Sequence, residues 1–254
     1  LTTIQDWPGR VGYWKVGVPP SGPMDDLSFR LANIAVGNPG TAAGLEITLM
    51  GPALRFDRSA VVAVTGAPVP VTINGTVAPQ WVPLTLEPGD VLDIGSIGTL
   101  GMRAYLAVGG GFDAADHLGS RSTFTMGKFG GLDGRALVAG DDLALLGAPA
   151  GARRRILSDE QPAFTNSWQL AVTVGPHGAP EFFTEDDIAD LFATDYEVHF
   201  NSDRTGIRLI GPKPRWARDD GGEAGLHPSN IHDTPYAVGA IAVSYTHLRA
   251  HETL

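Results

Sequence analysis

The chain reads as a mainly β protein with a few short helices. Three observations predict this class. Gly 33 and Pro 19 are spread along the 254 residues in turn dipeptides rather than gathered in one tail. Short β-branched runs recur at close spacing between those turns, and only two stretches carry a helical period. Length alone leaves open one large β-rich domain or two small ones. A hydrophobic fraction of 43% with 18% charged residues suffices for a true core. The net charge of −10 argues against a nucleic-acid partner, because phosphates need a basic face. Cys 0 removes disulfides, thiolate nucleophiles and Cys-ligated metals, and suits a cytoplasmic protein. No apolar run reaches the roughly 18 residues of a membrane span and no signal-like segment opens the chain, so no membrane partner is expected.

Taken in order, Leu1 to Arg10 enters as the middle of a strand and turn without a methionine, and the natural N-terminus is expected upstream. Met24 to Val36 is the most secure helix. Leu27, Leu31, Ile34 and Ala35 share one face, Pro23 suits the first turn, Asp25 and Asp26 suit the positive end, and Gly37 suits the stop. From Leu45 the pattern changes to strands: Leu45–Met50, Leu54–Asp57, Val61–Thr65, Val69–Ile73, Val77, Val82–Leu86, Val91–Ile94, Arg103–Val108 and Leu143–Leu146. Asn74-Gly75 is a two-residue hairpin signal, and Glu87-Pro88-Gly89-Asp90 is a second turn. Strands this closely spaced indicate a barrel or sandwich.

Residues 109–135 interrupt the strands with Gly109-Gly110-Gly111, Gly119-Ser120-Arg121-Ser122-Thr123-Phe124 and Gly127-Lys128-Phe129-Gly130-Gly131. Backbone this bare can approach a ligand, and hydroxyls beside Arg121 can hold a carboxylate or ureido group. A surface loop using glycine only to turn stands beside that reading. Arg153-Arg154-Arg155 reads as a solvated linker between two halves, spanning 151–168. A strand at Gln169–Val174 follows, then a helix capped by Thr184 with Ile188, Leu191 and Phe192 on one face, then strands at Glu197–Asn201 and Ile207–Ile210. Residues 244–254 break the style of the rest, carry no strand alternation and read as a non-native tail.

The stretch from Glu197 to Ile241 holds the candidate chemistry. His227-Pro228-Ser229-Asn230-Ile231-His232-Asp233 supplies donors and acceptors of every kind in a glycine-rich setting. Ser/His/Asp hydrolysis is disfavoured, since no Gly-x-Ser-x-Gly elbow holds Ser229. A metal site from His227, His232 and Asp233 lacks helical spacing, and His247 with His251 lacks a third ligand. No carboxylate pair suits glycoside cleavage. What remains is a polar pocket for something small, neutral and hydrogen-bonding, with Asn230 suited to an amide.

Asn201 to Lys213 (NSDRTGIRLIGPK) and Gly222 to Asp233 (GEAGLHPSNIHD) together resemble the carboxyltransferase region of urea carboxylase, the biotin-dependent half of urea amidolyase. Pro20 to Asp25 (PSGPMD), Ala107 to Phe112 (AVGGGF) and Gly119 to Phe124 (GSRSTF) resemble the wider family labelled allophanate hydrolase subunit 2. That family includes a subunit of 5-oxoprolinase and a kinase-inhibitor-associated protein. The resemblance covers roughly residues 1–243. It implies cyclophilin-like β-barrels, the first in 1–150 and the second, incomplete, in 169–243.

The resemblance also implies a reaction, in which the carboxyl group of carboxybiotin passes to urea to give allophanate. Biotin would sit on a separate carrier domain, because no Met-Lys-Met attachment context is present, and ATP would be used only by a separate biotin carboxylase. Partners implied are urea or a similar small amide, the biotin carboxylase, the carrier and a sister carboxyltransferase half, so the chain alone is expected to be inactive. Catalytic roles fall to Asn230, His227, Asp233 and Arg204, and substrate-binding roles to Ser229, His232, Arg121, Ser122 and Lys213, with no metal. The alternatives are guanidine carboxylation, a 5-oxoprolinase subunit, and a non-catalytic regulator that binds a kinase or peptide.

Overall fold

The structure, a computed structural model, describes residues 1–148, 151–200, 202, 204, 206–225, 227–232, 239–243 and 248–250. The chain divides into two compact units, Leu1–Trp168 and Gln169–Leu254.

Unit 1 begins with β1 (Thr2–Gln5) and α1 (Asp26–Ala35), then β2 (Gly44–Thr48), β3 (Ala53–Arg55), β4 (Ala60–Gly66) and β5 (Val71–Ile73). It continues with β6 (Thr76–Val77), β7 (Leu84–Leu86), β8 (Val91–Ile94) and β9 (Arg103–Val108). Two antiparallel sheets result, ordered β1-β2-β9-β4-β7 and β3-β8-β5-β6. The chain passes from the first sheet to the second between β2 and β3, where Met50 bridges Ser96, and again between β4 and β5. At the β5–β6 hairpin Asn74 and Gly75 both take positive φ, as the turn signal requires.

The central strands explain why their sequences read as apolar runs rather than alternations. Val62 and Val64 of β4, with Leu106 and Val108 of β9, face Val71, Leu92 and Ile94 of the second sheet in one buried cluster. Their neighbours Val61, Ala63, Tyr105 and Ala107 face the other way, into a second cluster with Phe29, Leu31, Ala32 and Ala35 of α1. Both faces are buried, so period two survives only as a choice of partner. Helix α1 is fixed by Asp25, whose carboxylate caps the N–H of Ser28 at 2.9 Å, and by Thr65, whose hydroxyl donates to the Ser28 carbonyl at 2.7 Å. Leu143–Leu146 contributes only a single bridge, Leu145 to Phe112.

Residues 151–168, read from sequence as a linker, pack with unit 1. Ile156 is buried in the α1 cluster and its N–H bonds the Trp81 carbonyl at 2.9 Å. Arg154 and Glu160 pair through both guanidinium nitrogens at 2.7 and 2.8 Å, so the Arg run is not simply solvated.

Unit 2 holds α2 (Glu185–Ala193), β10 (Glu197–Val198), β11 (Ile207–Ile210), β12 (Ile241–Val243) and β13 (Leu248–Ala250), with sheet order β10-β11-β13-β12. The helix starts on a capping box in which Thr184 and Asp187 exchange side-chain and backbone bonds. Two sequence expectations are corrected here. Gln169–Val174 is not a strand, and Leu170 stands 82% exposed. Alternation makes a strand only where a neighbouring edge accepts its hydrogen bonds, and among the described residues none pairs with it. Conversely Leu248–Ala250, set aside with the tail, pairs with both β11 and β12. No described residue of unit 2 belongs to a buried hydrophobic cluster.

The mainly β class with two α-helices is what the turn-rich sequence predicts. Among the described residues, no helix is long and apolar enough to cross a membrane.

One pH dependence follows from the 135–141 turn. Asp141 takes both guanidinium nitrogens of Arg135 at 2.8 Å and the Val138 N–H at 2.8 Å. Those bonds, the Arg135 pair first, hold its carboxyl down at about 2 from the usual 3.8. A depressed carboxyl stabilises the fold while it is charged, so its contribution is complete above about pH 4 and is lost as pH falls toward about 2. Denaturant unfolding of Asp141→Asn should show a stability deficit at pH 7 that closes over that interval. A deficit unchanged at the acid end would exclude the ion pair as its source.

Candidate functional site

The Gly-Ser-Arg-Ser-Thr-Phe motif is built onto β1 by one carboxylate. Asp6 accepts the Ser120 and Ser122 hydroxyls at 2.5 and 2.6 Å and the Arg121 N–H at 2.7 Å, while its own N–H donates to Ser122 Oγ at 2.9 Å. Thr123 closes the register, donating its hydroxyl to the Ile4 carbonyl at 2.9 Å. Ser122 is fully buried, with its hydroxyl already taken by Asp6. It therefore holds the loop and has no free face for a substrate. Arg121 is half-buried, and its Nε donates to the Ala114 carbonyl at 3.0 Å.

Beneath this loop lies Arg10, 0% exposed, which sequence reasoning passed over. Its Nε and Nη2 donate to the carbonyls of His117 and Ser122 at 2.9 and 2.7 Å, and its guanidinium lies 4.8 Å from the Phe129 ring centroid. Burial lowers its pKa, with Asp6 and then Asp116 acting in the other direction. The Pro-Ser-Gly-Pro-Met-Asp motif joins the same network, since Gly22 N–H donates to Gln5 Oε1 at 3.0 Å and Met24 N–H to Glu46 Oε2 at 2.7 Å. Beside Glu46, burial first and then that carboxylate push the Tyr105 hydroxyl well up, so it stays a donor to Glu46 at 3.1 Å. A cavity of about 550 Å³ opens in unit 1 between residues 112–117, 128–134 and 142–144; Lys128, Phe129, Gly130 and Gly131 of the glycine-rich stretch line it, while Arg121 and Ser122 do not.

In unit 2, His227 to Asn230 forms a turn, with Asn230 N–H donating to the His227 carbonyl at 2.8 Å. His227 Nδ1 accepts the Ser229 N–H at 3.1 Å and lies 2.8 Å from Ser229 Oγ. A backbone N–H aimed at Nδ1 makes that nitrogen the acceptor, so the neutral ring carries its proton on Nε2. The imidazole meets the edge of Trp216 at 5.7 Å, and Trp216 stacks on Phe183 at 5.0 Å. Trp216 has φ +61, a left-handed backbone that costs a bulky residue energy.

Two glycines let the turn come close. A Cβ on Gly221 would lie 2.8 Å from both Asn230 Cβ and the His227 carbonyl oxygen, and one on Gly225, at φ +129, would lie 2.7 Å from Asn230 Nδ2. Arg218 holds the turn from outside. Its Nε donates to the Pro228 carbonyl at 2.8 Å, its Nη2 reaches the Pro228 and Asn230 carbonyls, and the guanidinium lies 4.2 Å from the Phe182 centroid. The sequence signal was Arg-Trp-Ala-Arg after Pro214, which reads as a basic turn and gives no hint of its partners.

The structure thus brings together His227, Ser229 and Asn230. Asn230, His232 and Lys213 are exposed and Arg204 is half-buried, while Asp233 lies outside the described residues. Among the described residues, no group of three His, Cys, Asp or Glu side chains converges as metal ligands would. If Gly225 sets the position of the Asn230 amide, Gly225→Ala should displace the turn and perturb Trp216, shifting tryptophan fluorescence without unfolding unit 1. An unchanged spectrum would contradict the packing.

A family model for the carboxyltransferase domain, subdomains A and B, matches residues 16–247. Urea amidolyase of Saccharomyces cerevisiae is 48% identical over 247 residues, covering 94% of this chain and 13% of that protein. The crystal structure of Kluyveromyces lactis urea carboxylase superposes at a TM-score of 0.92 with 47% identity, over 99% of this chain and 23% of that one. A 5-oxoprolinase subunit from Escherichia coli is 32% identical over 212 residues, covering 83% of this chain and 66% of that protein. The chain therefore spans only a small part of the urea amidolyase and urea carboxylase it matches. With most of its length matched by that family model, the chain belongs to the carboxyltransferase domain family, subdomains A and B.

Proposed function

We propose that this chain is part of the carboxyltransferase domain of a biotin-dependent urea carboxylase, which moves a carboxyl group from carboxybiotin to urea and yields allophanate. The observation that carries this reading is the 48% identity to a urea amidolyase along 94% of the chain. The 227–230 turn fits a ureido or amide group, because the Asn230 amide offers one acceptor and two donors beside an imidazole whose Nδ1 is held by Ser229. Carboxybiotin, borne on a separate carrier domain and charged with ATP by a separate biotin carboxylase, supplies the electrophilic carboxyl group. A cytoplasmic setting agrees with the lack of cysteine.

The chain's own task is to hold a poorly reactive nucleophile in place. Asn230 can accept one urea N–H while its NH₂ donates to the urea oxygen, which fixes the molecule in a plane. His227 borders that amide, and Ser229 keeps the ring from turning by occupying Nδ1. Within unit 2, Arg204 is the residue we assign to the carboxylate charge. His232 and Lys213 are exposed polar groups suited to contacts at the rim, and Asp233 lies three positions after Asn230 in sequence. Ser122 serves indirectly by fixing the loop that carries Arg121.

In the complete biotin-dependent enzyme, Asn230→Ala should lower urea-dependent carboxylation roughly a hundredfold. The bicarbonate-dependent ATP hydrolysis of the biotin carboxylase should keep its rate. Wild-type urea kinetics in that variant would remove Asn230 from the site. The 254-residue chain by itself should form no allophanate from free carboxybiotin and urea, and measurable product would show that the partner domains are dispensable.

A further inference from the structure

We propose that Arg218 is a positioning residue for this site, a guanidinium clamp that sets where the His227–Asn230 turn presents its side chains. The inference rests on the proposed reading that Asn230 and His227 meet the substrate. Carbonyl oxygens at Pro228 and Asn230 both accept from one Arg218 side chain, through Nε and Nη2. These two carbonyls bracket Ser229, which is the residue that occupies His227 Nδ1. One planar fork therefore governs the height of the Asn230 amide and the tautomer of His227 together.

The clamp is itself anchored. The guanidinium lies over Phe182 at 4.2 Å, and the Phe182 carbonyl takes the Ala217 N–H at 3.0 Å, so the residue before the arginine is tied to the residue on whose ring it stacks. His177 meets the edge of the same ring at 4.8 Å. On the far side of the turn Gly221 and Gly225 leave no slack against Asn230. A lysine at 218 would offer a compact point charge, unable to stack flat on Phe182 while donating along two directions. This matters because unit 2 buries no apolar cluster among its described residues, so the turn is held by hydrogen bonds and ring contacts rather than by a core.

The test uses the complete enzyme carrying Arg218→Met, which keeps an apolar contact with Phe182 and removes the donors, beside Arg218→Lys and Asn230→Ala. Two readouts are taken: backbone hydrogen exchange over residues 227–231 by mass spectrometry, and KM and kcat for urea. The clamp predicts faster exchange in the turn for Arg218→Met and a loss of kcat/KM for urea between about tenfold and a hundredfold. It predicts partial recovery with lysine, no change in carrier carboxylation, and a less than additive loss when Arg218→Met is added to Asn230→Ala, because only the His227 share of the clamp remains to be lost. Unchanged exchange and kinetics in Arg218→Met beside an impaired Asn230→Ala would overturn the clamp and leave the proposed function standing. Losses that simply add in the double variant would also overturn it. A silent Asn230→Ala would instead sink the reading of the site, and the clamp's role with it.

Discussion

A buried polar group must find a partner, and in unit 1 that constraint fixes where the ligand-like loops lie. The segment 119–134 is too rich in glycine to hold its own shape, and its Ser120, Ser122 and Thr123 are buried. Asp6 resolves this by taking two hydroxyls and one N–H, which ties residues 120–122 to the end of β1. Removing that carboxylate would strand three donors at once, a larger loss than any single hydrogen bond is worth. Arg10 applies the same logic from below. Its charge is expensive to bury, and two backbone carbonyls and the Phe129 face offset that cost in part, leaving Nη1 buried without a hydrogen-bond partner. The motifs that look like a binding loop in the sequence are thus first of all a solved hydrogen-bonding problem.

Unit 2 meets the opposite situation. Its aromatic residues stack in pairs, Phe183 on Trp216 and His199 on Phe200, instead of meeting in one packed interior. Directional contacts have to do what burial does in unit 1. That explains why an arginine reaching two carbonyls, two glycines without Cβ atoms and a tryptophan at positive φ occur within fifteen residues of the same turn. Each is costly or permissive in isolation, and together they define one backbone path.

The parts of the fold legible in the sequence were those governed by local chemistry. α1 announced itself through Asp25, Pro23 and Gly37 around a periodic face, and the Thr184 cap marked α2 in the same way. β4 and β9 were legible because they are long and apolar, although which face meets which cluster was not. The errors came where a partner decides. Gln169–Val174 alternates like a strand but has no edge to join, and Leu248–Ala250 alternates poorly yet is paired on both sides. In the site, His227, Ser229 and Asn230 were visible as a run of polar side chains. Arg218 and Arg10 were not, because their partners are backbone carbonyls, which every sequence has everywhere. Ser122 shows the same limit: a hydroxyl beside an arginine suggests a ligand, and nothing in its neighbours reveals that Asp6, over a hundred positions earlier, accepts its hydrogen bond.

The electrostatics of the turn bear on which acceptor it favours under the proposed function. Urea is neutral and planar, so it gains most from donors and acceptors fixed at matched angles and little from charge. A guanidinium acceptor would instead seek a carboxylate to offset its desolvation. Around Asn230 the described contacts are an amide, an imidazole accepting at Nδ1, two glycines and the carbonyl groups of Pro228 and Asn230. Among the described residues, the charged side chain bonded to those carbonyls is Arg218, a cation, whose field would oppose a second guanidinium on the same turn. The same side chain that shapes the turn therefore also biases it toward a neutral amide. Under the proposed function shape and charge meet in one residue, and lysine at 218, which keeps the cation but loses the planar fork, separates the two.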